Sequence, residues 1–120
     1  MNEIRSVHDL EVYELSFEAA MDAFEASKRF PPDEKYSLTG QLRRSARSVA
    51  ANVREGFAKR HYKAVFVRHL TDALGSAEET RTWLDFAMRC GYTPADEHNR
   101  ISEKYDRICA MLFKLMSKWK

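Results

Sequence analysis

Between Arg43 and Lys63 the chain carries seven Lys or Arg residues against one acid, Glu55, so this short segment holds a charge of +6. Arginines at helical spacing are chemistry for anions, because each guanidinium offers paired N–H donors to a phosphate or a carboxylate. At 100° per residue Arg43, Arg47, Arg54 and His61 fall within about 40° of one another. Arg44, Lys59, Arg60 and Lys63 extend the basic surface beside and beyond them. The first 34 residues have the opposite sign, with nine acids against three bases. There Glu11, Glu14, Glu18, Asp22 and Glu25 recur at steps of three and four, which gathers them on one side of a helix. Two such stripes admit three uses. They can stay solvated and contribute little to stability. The basic one can bind the phosphates of RNA or DNA, with affinity that falls steeply as salt rises. Or it can meet the acidic stripe of another copy in a head-to-tail ring.

Other chemistry finds few residues to carry it. A carboxylate-bridged metal pair in a helix bundle needs Glu-x-x-His, yet Arg5, Ala58, Phe66 and Ala95 stand three residues before His8, His61, His69 and His98. His69 and Asp72 share a helix face and read as an exposed pair. The four glycines, at 40, 56, 75 and 91, are isolated and form no phosphate-cradling loop. Cys90 and Cys109 make no C-x-x-C motif, and their apolar neighbours predict reduced, buried thiols. A helix C-terminus at Cys90 disfavours a thiolate there. The expectation is a protein without catalytic residues, metal, cofactor or small-molecule substrate. Asn52 falls on the core side of its helix, where an unpaired amide would cost about 1 to 3 kcal/mol, so it is expected to hydrogen-bond across the fold as a structural residue.

The elements that position these residues are helices. Few glycines and prolines leave little punctuation for β-turns, and 44% hydrophobic residues suffice for the core of a single domain spanning residues 1–120. Apolar residues at alternating steps of three and four predict helices at about 9–29, 35–60, 62–90 and 94–119. Their seams are Leu10–Tyr13–Phe17–Ala20–Phe24; Leu38–Leu42–Val49–Val53; Phe66–Leu70–Ala73–Ala77–Thr80–Leu84–Ala87; and Ile101–Tyr105–Ile108–Leu112–Leu115–Trp119. Pro31 and Pro32 end the first helix. The break between the second and third has no such marker and is placed near His61. Gly91 is expected at C′ of the third, Thr93 as cap of the fourth, and Pro94 in its first turn. Four seams with short connections give an all-α, antiparallel up-down-up-down four-helix bundle. Leu15, Phe86 and Phe113 lie off the seams and are expected to be exposed in a monomer and covered in an oligomer. No signal-peptide core or membrane-spanning run is evident, which points to the cytoplasm and no membrane.

Three stretches, "HDLEVYELSFEAAMDAF", "FPPDEKYSLTGQLRRSARSVAANVREGFAKR" and "LGSAEETRTWLDFAMRCGY", resemble the bacterial four-helix bundle proteins first noticed as products of intervening sequences in large-subunit ribosomal RNA genes. The most specific part is the order Leu38-Thr39, Gln41 to Arg44, Ala51-Asn52, Glu55-Gly56-Phe57, Gly75-Ser76 and Gly91-Tyr92. The resemblance implies an antiparallel bundle that assembles as a ring of five, with no catalytic activity. Related accessory variability proteins of diversity-generating retroelements form similar rings that bind nucleic acid and a reverse transcriptase. Those relatives are strongly basic, whereas this chain is +2 overall, and Ala50 stands where the family usually has proline.

Overall fold

The computed structural model describes residues 4–119. Helix α1 spans Glu11–Ser27, α2 Gly40–Ala58, α3 Lys63–Arg89 and α4 Ala95–Trp119. The predicted boundaries shift where local hydrogen bonding favours another conformation. Ahead of α1, Val7–Asp9 form a 3₁₀ turn closed by a reciprocal cap: Ser6 Oγ accepts from the His8 N–H at 3.2 Å, and the Asp9 carboxylate accepts from the Ser6 N–H at 3.0 Å. After Pro31, a 3₁₀ turn at Pro32–Glu34 runs into one π turn at Lys35–Thr39 before α2 begins. The expected start of the second helix is therefore a wider turn, not an α-helix. The unmarked joint falls where it was placed, between Ala58 and Lys63. Gly91 takes φ 80° beyond α3, and its N–H donates to Met88 O at 2.9 Å. Thr93 does not cap α4, since its buried hydroxyl has no hydrogen-bond partner.

Side-chain pairs fix the directions of the helices. Tyr13 meets Arg54 while Phe24 and Ser27 meet Arg43, so α1 and α2 run antiparallel. Ser45–Thr80, Ser48–Ser76 and Asn52–His69 do the same for α2 and α3. Thr71–Met116, Glu78–Cys109 and Asp85–His98 join α3 to α4, and Glu18–Lys104 with Arg29–Glu97 closes the bundle between α1 and α4. The outcome is a four-helix bundle of 45 × 25 × 19 Å with one continuous core. No described helix is long and apolar enough to cross a membrane.

The third seam is buried at all seven expected positions, and the second and fourth largely so. The first is rotated beyond its start, where Leu10 and Tyr13 are buried as expected. Val12, Leu15, Ser16, Ala19, Ala23 and Ala26 face the core, whereas Phe17 is 52% exposed and Phe24 only half-buried. Three alanines let α1 approach the other helices closely, and that packing overrides the regular spacing of the aromatic residues. Leu15 is consequently a core residue and not an exposed oligomer contact.

Candidate functional site

The rotation of α1 opens an apolar groove against α2. Tyr13, Phe17, Ala20, Met21 and Phe24 line one wall of an open groove of about 550 Å³, and Arg47, Ala50, Ala51 and Arg54 of α2 line the other. Phe17 and Met21 are 52% and 48% exposed, so large apolar area faces solvent along this seam. The arginines of the basic stripe are set into the aromatic wall. The Arg43 guanidinium lies 4.6 Å and that of Arg47 5.7 Å from the centre of the Phe24 ring, and Arg54 lies 5.9 Å from that of Tyr13. Arg43 Nε also donates to Ser27 Oγ at 2.7 Å, and Arg54 Nη1 donates to the Tyr13 hydroxyl at 3.2 Å. Alternating arginine and aromatic groups around small residues form a surface suited to docking. Phe17 and Met21 were not foreseen as part of it. Their signal is the i, i+4, i+7 spacing of Phe17, Met21 and Phe24; the core seam expected from the sequence includes Phe17 and Phe24 but not Met21.

The remaining basic residues lie apart from this groove. Lys59, Arg60, His61 and Lys63 cluster at the α2–α3 turn around Tyr62, which is 71% exposed. Lys59 pairs with Glu55 at 3.1 Å, and Arg60 folds back over the Phe57 ring at 3.9 Å. Arg44 is exposed on α2. The acidic stripe is largely used within the chain. Lys104 of α4 reaches Glu18 at 3.0 Å and also Asp22, which lies 3.5 Å from Arg100. The Lys104 pKa is raised, chiefly by the hydrogen bond to Asp22. Glu14 takes His8 Nδ1 at 2.7 Å, Glu25 takes Lys28 at 3.2 Å, and Glu11 is exposed.

Between α2 and α3 runs a ladder of polar side chains. Thr80 donates to Ser45 at 2.9 Å, Ser76 to Ser48 at 2.9 Å, Asn52 Nδ2 to Ser48 Oγ at 3.1 Å, and Asn52 Oδ1 meets His69 Nδ1 at 3.2 Å. Asn52 thus makes its expected bond across the bundle, from a half-buried position. His69 does not form an exposed pair with Asp72. It turns inward to Asn52 and lies 3.7 Å from Glu55, whose pKa is lowered first by the hydrogen bond and charge of Lys59 and then by His69. Gly56 permits this approach, because a Cβ there would fall 2.6 Å from His69 Cβ.

Phe86 and Phe113 are 53% and 60% exposed, as expected. The cysteines divide: Cys109 is buried, and burial followed by the Glu78 charge pushes its thiol up to about 11, but Cys90 is exposed, contrary to expectation. Both are free thiols. Among the described residues no group of three or more His, Cys, Asp or Glu could hold a metal ion.

Comparison with known proteins places this architecture. A solved structure of a protein of unknown function from the S23 ribosomal protein family, from Bacteroides thetaiotaomicron VPI-5482, is 27% identical. The match covers 88% of this chain and 97% of that one, with a TM-score of 0.79. No curated protein matches. The family described as 23S rRNA-intervening sequence protein matches residues 8–114, and the chain, with its four antiparallel helices, belongs to that family.

Proposed function

We propose that this protein is a non-catalytic scaffold that acts as a homo-oligomer and uses the α1–α2 groove to hold its copies together. The observation that carries this reading is the exposure of Phe17 and Met21 between arginines stacked on Phe24 and Tyr13. Aromatic, methionine and arginine side chains are the residues that protein interfaces favour. The resemblance noted in the sequence sets the expected number of copies at five. Sedimentation velocity at micromolar concentration tests the proposal: a mass near five chains is expected, and a monomer overturns it.

The basic turn supports a second activity, binding of RNA through Lys59, Arg60, His61 and Lys63, with Tyr62 as a stacking platform. A ring would carry this cluster once per copy at one end. Labelled RNA titrated against wild type and an Arg60→Glu/Lys63→Glu variant is expected to bind the wild type tighter by tenfold or more. Equal binding, or none by the wild type at low salt, removes the nucleic-acid reading and leaves the scaffold.

A further inference from the structure

The partner of the groove is identifiable from the opposite side of the bundle. Phe113 sits one helical turn from Cys109 and Met116, which contact Glu78 and Thr71 of α3, so it stands on the outer α3–α4 flank, 60% exposed. In a four-helix bundle that flank lies across the core from the α1–α2 flank. The cross-helix pairs also fix its height. Tyr13–Arg54 and Phe24–Arg43 put Phe17 and Met21 beside Arg47 to Ala51. Ser48–Ser76 and Asn52–His69 carry that level to the middle of α3, and Thr71–Met116 with Glu78–Cys109 carry it on to Phe113. The direct α1–α4 contacts, Lys104 with Glu18 and Asp22 and Leu10 to Val12 beside Met111 to Leu115, set Phe113 somewhat lower, so the exposed ring lies toward the Tyr13 end of the groove on the opposite face.

The charges on these two flanks are complementary as well. Arg47 shares the level of Glu78, and Arg43 that of Asp106, since Ser48 pairs with Ser76, Ser45 with Thr80 and Arg81 with Asp106. Glu78 and Asp106 are 60% and 74% exposed and share one cation, Arg81, at 3.1 and 3.6 Å. On the groove side the arginines have aromatic rings and hydroxyls as partners, with no acid among the residues that line it. In a cyclic assembly whose axis parallels the bundles, residues of equal height on the two flanks meet.

We infer that the groove between α1 and α2 receives the Phe113 flank of a second copy, with Phe113 against its Tyr13–Phe17 end, and Arg47 and Arg43 on the side of Glu78 and Asp106. The contact is heterologous, each copy giving one face and receiving the other. This rests on the scaffold reading, and it assigns the acids to α3 and α4 instead of to the first-helix stripe.

Two exposed-site variants, Phe17→Glu and Phe113→Glu, test it by sedimentation velocity, with circular dichroism confirming that helicity is retained. Each variant alone is expected to be monomeric. An equimolar mixture is expected to form a one-to-one dimer and go no further, because it restores one intact contact per pair. Retention of the wild-type mass by either variant overturns the assignment, as does a mixture that stays monomeric. A wild type that is itself monomeric removes the scaffold proposal beneath it, an outcome distinct from both.

Discussion

Gly56 shows how one missing side chain sets the distance between two helices. With its hypothetical Cβ 2.6 Å from His69 Cβ and 3.1 Å from the Phe66 ring, the crowding involves atoms close to the α3 backbone that have little freedom to move. Gly56→Ala is expected to destabilise the protein by about 1 to 3 kcal/mol, as overpacking does. Gly75 provides the control. It lies within α3, is exposed, and nothing stands within 4 Å of a Cβ added there. Gly75→Ala is expected to stabilise by about 0.5 to 1 kcal/mol through helix propensity. Chemical denaturation of both variants checks the pair, and a Gly56→Ala protein as stable as wild type would refute the close-packing account. The sequence pointed to Asn52 as a polar residue needing a partner but not to His69 as that partner. Helical periodicity assigns a face, whereas the partner depends on how near Gly56 allows the next helix to come.

The segment between α1 and α2 is held by a contact with the α3–α4 turn. The Tyr92 hydroxyl donates to Glu34 at 2.9 Å, Ser37 donates to the same carboxylate, and the Phe30 and Tyr92 rings pack at 5.7 Å. These bonds lower the Glu34 pKa, Ser37 contributing most and Tyr92 next, while the same bond and then burial push the Tyr92 phenol from 10.0 up to about 12. The two shifts act at opposite ends of the pH scale. Glu34 favours the folded state as a carboxylate, so its contribution is present above the ordinary carboxylate range and is lost as pH falls through the lowered value. Tyr92 favours it as a neutral phenol, so its contribution is full below 10.0 and is lost between 10.0 and about 12. Melting temperature measured across that alkaline window is expected to fall less in Tyr92→Phe than in wild type; parallel profiles would exclude the contact. None of this was legible in the sequence, where Pro31 and Pro32 mark a helix end and Gly91, Thr93 and Pro94 mark helix termini, with no sign that the two turns touch. The helices were legible because the second, third and fourth seams keep apolar residues at steps of three and four that the core largely buries. In α1 the small set Ala19–Ala23–Ala26 competed with the aromatic set, and packing chose the smaller side chains.

The bundle as a whole distributes charge by helix. The acids Glu18 and Asp22 are spent on Lys104 and Arg100 across the α1–α4 seam, whereas Arg43, Arg47 and Arg54 of α2 stand over aromatic rings. Asp22→Ala is therefore expected to lower stability by about 1 to 2 kcal/mol, since Asp22 and Lys104 are both largely covered. It should leave the mass of the proposed assembly unchanged; dissociation by this substitution would return the first-helix acids to an intersubunit role. The charge totals that suggested two matching stripes were correct, but charge counted along a chain does not reveal which neighbour a stripe faces. The polar ladder between α2 and α3 has a mechanical consequence. A purely apolar seam lets one helix slide past another by a turn, about 5.4 Å, with little change in contact. Here such a slip would break Ser45–Thr80, Ser48–Ser76 and Asn52–His69 together. The ladder works as the key in a shaft: it locks the axial offset between the two halves of the bundle, so the proposed ring would inherit its pitch from a few hydroxyl groups, among them the buried ones of Ser45 and Thr80.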